Sequence, residues 1–300
     1  MNRHPSGNNP KTYPLVLVAL LMSTCVFGQQ KLSTDTLVRG YVNYVVSTPP
    51  EGLKADTSFY KKYCDAGGVP ILSSANTPDD ALLIARDIVN QMLSKRPDIR
   101  NGLIEKGGRV LIIAHSEGEM DLPERRDWKK PAKDDRRLTP GERENYDKPG
   151  GIGSMDARTY WNQRARGMGG TLTSCAEENL LGYANTRYYG ENILVHEFSH
   201  NIMSTIRTVD PQLYAEIDAA YQVAKSKNMY AGQYAINTAA EYWAEGTQWW
   251  FGSNFPFTDG DLTLKSARDL KQYDPTLYAI LEQVYFAGPI KADVYHTFYK

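Results

Sequence analysis

Residues 191–202 read ENILVHEFSHNI and place His196 and His200 four positions apart, with Glu197 directly after the first. Imidazole nitrogens bind divalent metals, and the chain has only five histidines, so a pair at this spacing calls for an explanation. At about 100° per residue, a helix stacks positions i and i+4 one turn apart on one face. His196 and His200 would then reach a single ion. Glu197 would project about 100° around the helix, beside that ion and not under it. Its carboxylate stays free to take a proton from an attacking water, which is what an HExxH zinc site requires. Leu194, Val195, Phe198, Ile202 and Ile206 gather on another face, so the same helix has a core side. The plainer alternative is two surface histidines on an amphipathic helix.

A third ligand must come from elsewhere. The continuation NIMSTIRTVD lacks the glycine and third histidine that follow this motif in metzincins. Residues 237–251, NTAAEYWAEGTQWWF, offer carboxylates instead. As a helix, this segment carries Glu241, Glu245 and Gln248 on one polar stripe, while Tyr242, Trp243, Ala244, Trp249, Trp250 and Phe251 cover the rest. A helix apolar nearly all round is buried. A buried carboxylate is costly unless paired or bound to metal. The stripe must therefore face something cationic or strongly hydrogen-bonding, such as an ion held by the two histidines or an arginine such as Arg164, Arg166 or Arg187. The spacing leaves Glu241 and Glu245 both open as the ligand.

These residues resemble the gluzincin type of zinc peptidase. The string EYWAE, with a tyrosine seven residues before its first glutamate, is similar to the catalytic domain of the anthrax lethal factor-like peptidases. The resemblance covers residues 191–251 and implies a zincin-like domain, Zn2+ as cofactor and a protein or peptide as substrate. Carried onto the matching positions, it implies His196, His200 and Glu241 as metal ligands and Glu197 as general base. Tyr234 would donate its hydroxyl to the developing oxyanion, with Tyr230 as a nearby competitor. Glu245 would stand behind the ligands and orient a histidine N–H. Nothing before Arg187 carries the family's motifs, so substrate preference is not implied. Two rival readings are a non-catalytic envelope protein on such a scaffold and a zinc amidase acting on cell-wall peptides.

The N-terminus bears on location. Arg3 and Lys11 precede the apolar run YPLVLVALLMSTCVFG, and Gln29 and Gln30 follow it. That pattern describes a signal peptide over residues 1–28, cleaved after Gly28, and a secreted or cell-envelope protein. A lipid anchor at Cys25 is the alternative, although Met22, Ser23 and Thr24 fit that signal poorly. The run is too short for a span, so no membrane span is expected in the mature chain. Lysines and arginines number 34 against 35 aspartates and glutamates, which gives no electrostatic support for nucleic-acid binding. Cleavage would leave Cys64 and Cys175, a candidate disulfide in an exported protein, with two buried thiols as the alternative. Nothing in the sequence fixes the oligomeric state.

The elements that must position the site are legible in outline. Thr77-Pro78-Asp79-Asp80 opens a helix that turns Ala81, Leu82, Ile84, Ala85, Ile88, Val89, Met92 and Leu93 inward. Residues 109–116 read as a buried strand, with His115 at its end as a packed or surface residue. Residues 124–148 carry charges of both signs and few apolar side chains. They read as a solvated loop or a segment that orders only against something else. Strand pieces are expected near 171–173 and 180–183, and residues 170–174 are the candidate edge strand for a bound peptide. Asp210-Pro211 and Asp274-Pro275 each open a helix. The expectation is α+β: one catalytic domain over residues 29–300, mixed strands and helix first, mostly helix afterwards, with the histidine helix between.

Overall fold

The computed structural model describes residues 45–135, 138–184, 186–296 and 298. The leader, its cleavage point after Gly28 and Cys25 lie outside the described residues. The chain runs β1 (Lys62–Ala66), β2 (Val69–Ser73), α1 (Asp79–Met92), α2 (Pro97–Glu105), β3 (Arg109–Ile113), α3 (Pro140–Glu144), α4 (Ala157–Arg164), β4 (Gly167–Met168), β5 (Leu172–Ala176), α5 (Glu177–Leu180), α6 (Ile193–Val209), α7 (Pro211–Ser226), α8 (Ala239–Phe251), β6 (Phe257–Asp259), β7 (Leu262–Leu264), α9 (Ala267–Tyr273) and α10 (Pro275–Val284). The architecture is α+β. Among the described residues no helix is long and apolar enough to cross a membrane.

The main sheet has the order β1-β2-β3-β5-β4. β2, β3 and β5 run parallel, and the two outer strands are antiparallel to their neighbours. Side chains alternate across a strand, and β3 shows the consequence. Val110 and Ile112 enter the large core against the helices, while Leu111 and Ile113 join Tyr60, Leu72 and Leu122 on the opposite face.

Helix α1 begins where the sequence places it and buries Ala81, Leu82, Ala85, Ile88, Val89 and Met92. Asp210 and Asp274 cap α7 and α10, accepting hydrogen bonds from Leu213 N at 3.1 Å and Leu277 N at 3.0 Å. Each helix then starts with a proline that has no N–H to leave unsatisfied.

Two expectations need correction, and a third is resolved between its alternatives. Residues 180–183 are not a strand. α5 starts directly from β5, and Leu180 turns into the core. Cys64 and Cys175 are separate, fully buried thiols. Cys64 lies on β1 and Cys175 on β5, three strand spacings apart, which is about 14 Å and far beyond disulfide reach. The charged stretch 124–148 also folds against its neighbours. Leu138 and Tyr146 join Ile152, Tyr160 and Trp161 in a small second core. The Lys130 ammonium donates to the carbonyls of Ile152, Gly153 and Met155 at 2.9, 2.6 and 2.6 Å. Arg125 is buried, pairs with Glu119 and donates to Ser174 Oγ at 2.7 Å. Arg125 and Lys130 thus satisfy a carboxylate and backbone carbonyls, while most other described charged side chains of the stretch stay exposed.

Candidate metal centre

Two helices bring the site together, and each has its start fixed by a side-chain cap. Asn192 Oδ1 accepts from Val195 N at 3.1 Å, and Asn179 Oδ1 accepts from Ile193 N at 2.8 Å, which sets the first turn of α6. Thr238 Oγ1 accepts from the N–H of Glu241 itself at 3.1 Å, three residues into α8. The register between the helices is pinned by the buried Trp243, whose indole N–H donates to Ser199 O at 2.9 Å. The sequence-predicted ligands therefore meet in a buried seam.

Glu241 Oε2 lies 3.0 Å from His196 Nε2 and 3.5 Å from His200 Nε2. One ligand atom from each of the three residues falls within 4.8 Å of the others. A tetrahedral ion with bonds of about 2.1 Å separates its ligand atoms by about 3.4 Å. The triad fits that donor set in chemistry, and Glu241 stands at about that separation from each histidine nitrogen. Glu241 is thus the carboxylate that joins the histidines. Burial alone would raise its pKa, but hydrogen bonds from His196 and His200 outweigh burial and hold it at about 2. The three candidate arginines do not serve the stripe. Arg166 pairs with Glu178 at 2.6 Å, Arg164 with Glu142 at 3.1 Å, and the Arg187 guanidinium sits over the Tyr188 ring.

Glu245 occupies a different place. Its Oε2 accepts from Asn254 Nδ2 at 2.7 Å, and its Oε1 stays 3.6 Å from His196 Nδ1. The close partner of Nδ1 is Gln248, whose Oε1 is at 2.8 Å. Orientation of this imidazole by Glu245, which the resemblance implied, is therefore corrected: Gln248 holds the position. The signal was present in the sequence, because Gln248 shares the polar stripe of an otherwise apolar helix.

Glu197 faces the cleft beside the triad. Burial raises its pKa, and the imidazoles of His196 and His200 partly counter that. Tyr234 also lines the cleft, with its ring 6.4 Å from that of His196. Burial first, then the charge of Glu241, pushes its hydroxyl up to about 12, so it stays protonated at neutral pH. Tyr230 is excluded. It is fully buried, its hydroxyl donates to Asp274 Oδ2 at 3.2 Å, and its ring stacks on Trp249. His115 also lies away from the centre, with its side chain 66% exposed and 3.5 Å from Glu178.

The cleft has a volume of about 900 Å³. Leu138, Tyr160, Trp161 and Met168, which pack together, line it along with Glu191, Asn254 and Phe255. Residues 170–174 do not line the cleft, and β4 pairs with β5 at Ser174 and Cys175. The edge is β4, and Gly167, Met168 and Gly169 line the cleft. Glycine permits this closeness. A Cβ on Gly167 would come within 2.5 Å of Ile193 and 3.3 Å of Glu197, and one on Gly169 within 2.8 Å of His200. Nothing in a bare pattern of glycines signals which of them presses on a ligand.

No protein-family model matches the chain. No curated protein matches it either. Among solved structures, that of the Pro-Pro endopeptidase from Paenibacillus alvei is similar over 67% of this chain and 91% of that one, with 14% identity and a TM-score of 0.41. A likeness that distant assigns no chemistry to residues here.

Proposed function

We propose that the chain is an exported zinc-dependent peptidase. The convergence of His196, His200 and Glu241 within 4.8 Å, in a cleft that also holds Glu197, carries this reading. Two imidazoles and one carboxylate form the donor set that suits zinc in a hydrolytic site, where a fourth position stays open. Zinc held there would act as a Lewis acid and make water a nucleophile near neutral pH.

The chain's own groups account for the proton transfers. Glu197 stands beside the two imidazoles and accepts the proton of the attacking water. It then returns that proton to the leaving amine. Tyr234 keeps its hydroxyl proton and donates a hydrogen bond to the carbonyl oxygen as charge grows on it. The free edge of β4 offers backbone N–H and C=O groups to an extended peptide. The leader over residues 1–28 would deliver the enzyme to the cell envelope or beyond it.

The test compares wild type with Glu197→Gln for zinc content and for cleavage of casein or a peptide library. Equal zinc and a loss of cleavage by about 10²- to 10⁴-fold are expected, the range for removing a general base. Equal cleavage in both proteins, or none in either, would favour a non-catalytic envelope protein.

A further inference from the structure

The two nitrogens of His196 face two residues of α8 that stand two turns apart. Nε2 points to Glu241, and Nδ1 points to Gln248 Oε1 at 2.8 Å. We infer that Gln248 is a positioning residue that fixes the tautomer and ring plane of His196, and with them the grip of the triad on its metal. The inference rests on the metal-centre reading above and goes one step behind it.

The assignment follows from what each end of the amide can do. Gln248 is fully buried, so water cannot substitute for either partner. Its Nε2 donates to the backbone carbonyl of Asn192 at 3.0 Å. A carbonyl only accepts, so the NH₂ end of the amide must face it. The oxygen end therefore faces His196, and an amide oxygen also only accepts. Nδ1 must then carry a hydrogen whatever Nε2 does: Nε2 donates to the Glu241 carboxylate here, and loss of that one proton gives it the lone pair a metal needs.

The anchor is itself held. Asn192 caps α6 through Oδ1, donates from Nδ2 to the buried Asp293 at 2.9 Å, and donates from its backbone N–H to Ser253 O at 2.9 Å. Asp293 belongs to the C-terminal stretch, so residues about a hundred positions away brace the imidazole through two amides. The charged alternative is kept back. Glu245 could compete for Nδ1, but Asn254 ties one of its oxygens and the other stays at 3.6 Å. A neutral amide makes the imidazole a weaker electron donor than a carboxylate would, which favours a more electrophilic metal.

The test uses the full mature chain and Zn(II). Zinc affinity is measured by competition with a chromogenic chelator for wild type, Gln248→Leu and Gln248→Glu, with thermal melting as the folding control. Leucine fills the space without an acceptor, and affinity should fall about 10- to 100-fold, the usual cost of losing such a partner. Glutamate keeps an acceptor for Nδ1 but turns its second oxygen on the Asn192 carbonyl, so it should recover only part of that loss. Wild-type affinity in Gln248→Leu would overturn the inference. A second reading needs no variant. In ¹⁵N-imidazole spectra of the zinc-loaded wild type, His196 should show a proton on Nδ1, and a bare Nδ1 would overturn it. Failure of wild type to bind zinc at all would instead remove the metal-centre reading on which this one rests.

Discussion

Gly169 and Gly170 are neighbours that separate site geometry from backbone strain. A methyl group on Gly169 would lie 2.8 Å from both Cβ and Cδ2 of His200 and 3.1 Å from Cγ. Ordinary carbon contacts need about 3.5 Å, so the clash is about 0.7 Å deep on the ligand side chain. The obstructing atoms include the Cβ, which cannot move without α6. Either the imidazole or the edge strand must therefore yield by a large fraction of an ångström. A misplacement of about 1 Å can cost about 100-fold in rate, so Gly169→Ala should lower kcat/KM by about 10- to 100-fold. That corresponds to about 1.4 to 2.7 kcal/mol of transition-state stabilisation. Gly170 has open space around its missing Cβ but a φ of +112°, a conformation that L side chains rarely adopt. Gly170→Ala should therefore cost stability, about 1 to 3 kcal/mol, with little effect on kcat/KM per folded molecule. Peptide-cleavage kinetics, zinc competition and thermal melting of the two variants side by side provide the assay. A Gly169→Ala protein with wild-type zinc affinity and wild-type kcat/KM would refute the claim that this strand is pressed against His200.

The two tyrosines should part in the same way. Tyr234→Phe should reduce kcat by about 100-fold or more, with zinc binding intact, if its hydroxyl serves the oxyanion. Tyr230→Phe should instead lower stability by about 1 kcal/mol through the lost bond to Asp274, and its effect is read in melting curves. A pH dependence is expected at Glu178. Burial pushes its carboxyl up, but Arg166 outweighs burial and holds it below the usual range. A carboxyl lowered in the folded state stabilises above its unfolded pKa and loses that contribution as pH falls through its folded value. The Tm difference between wild type and Glu178→Gln should therefore be largest at neutral pH and shrink below about pH 4.5. A constant difference across that range would contradict the assignment. The thiols give a last check. Cys64 and Cys175 should resist a thiol reagent in the native protein and react in denaturant, and a reductant should leave Tm unchanged.

Much of the site was legible because helical geometry is local. The four-residue spacing of His196 and His200 sets their common face whatever surrounds it, and the stripe of Glu241, Glu245 and Gln248 follows from the same rule. Capping is local too, so the helix starts at Pro211 and Pro275 could be read from a few residues. The choice between Glu241 and Glu245 was different. Both lie on one stripe a single turn apart, and only the depth at which α8 docks on α6 selects between them. That depth is set by Trp243 reaching Ser199 O, a contact between residues 44 positions apart.

The remaining differences share this cause. Strand order placed Cys64 and Cys175 three strands apart and made β4, not β5, the edge. Pairing across a sheet depends on crossovers that no local window contains. The partner of His196 Nδ1 was decided by which of two neighbouring side chains already had a donor, and Asn254 gave that donor to Glu245. The charged stretch read as solvated because charge suggests water. In the fold Arg125 and Lys130 find backbone carbonyls and a carboxylate brought in from other segments. What the sequence determined by itself was the chemistry on offer, since residue type and helical period suffice for it. Tertiary structure decided which of those groups meet, because docking depth, strand order and competition for donors exist only once distant segments are packed together.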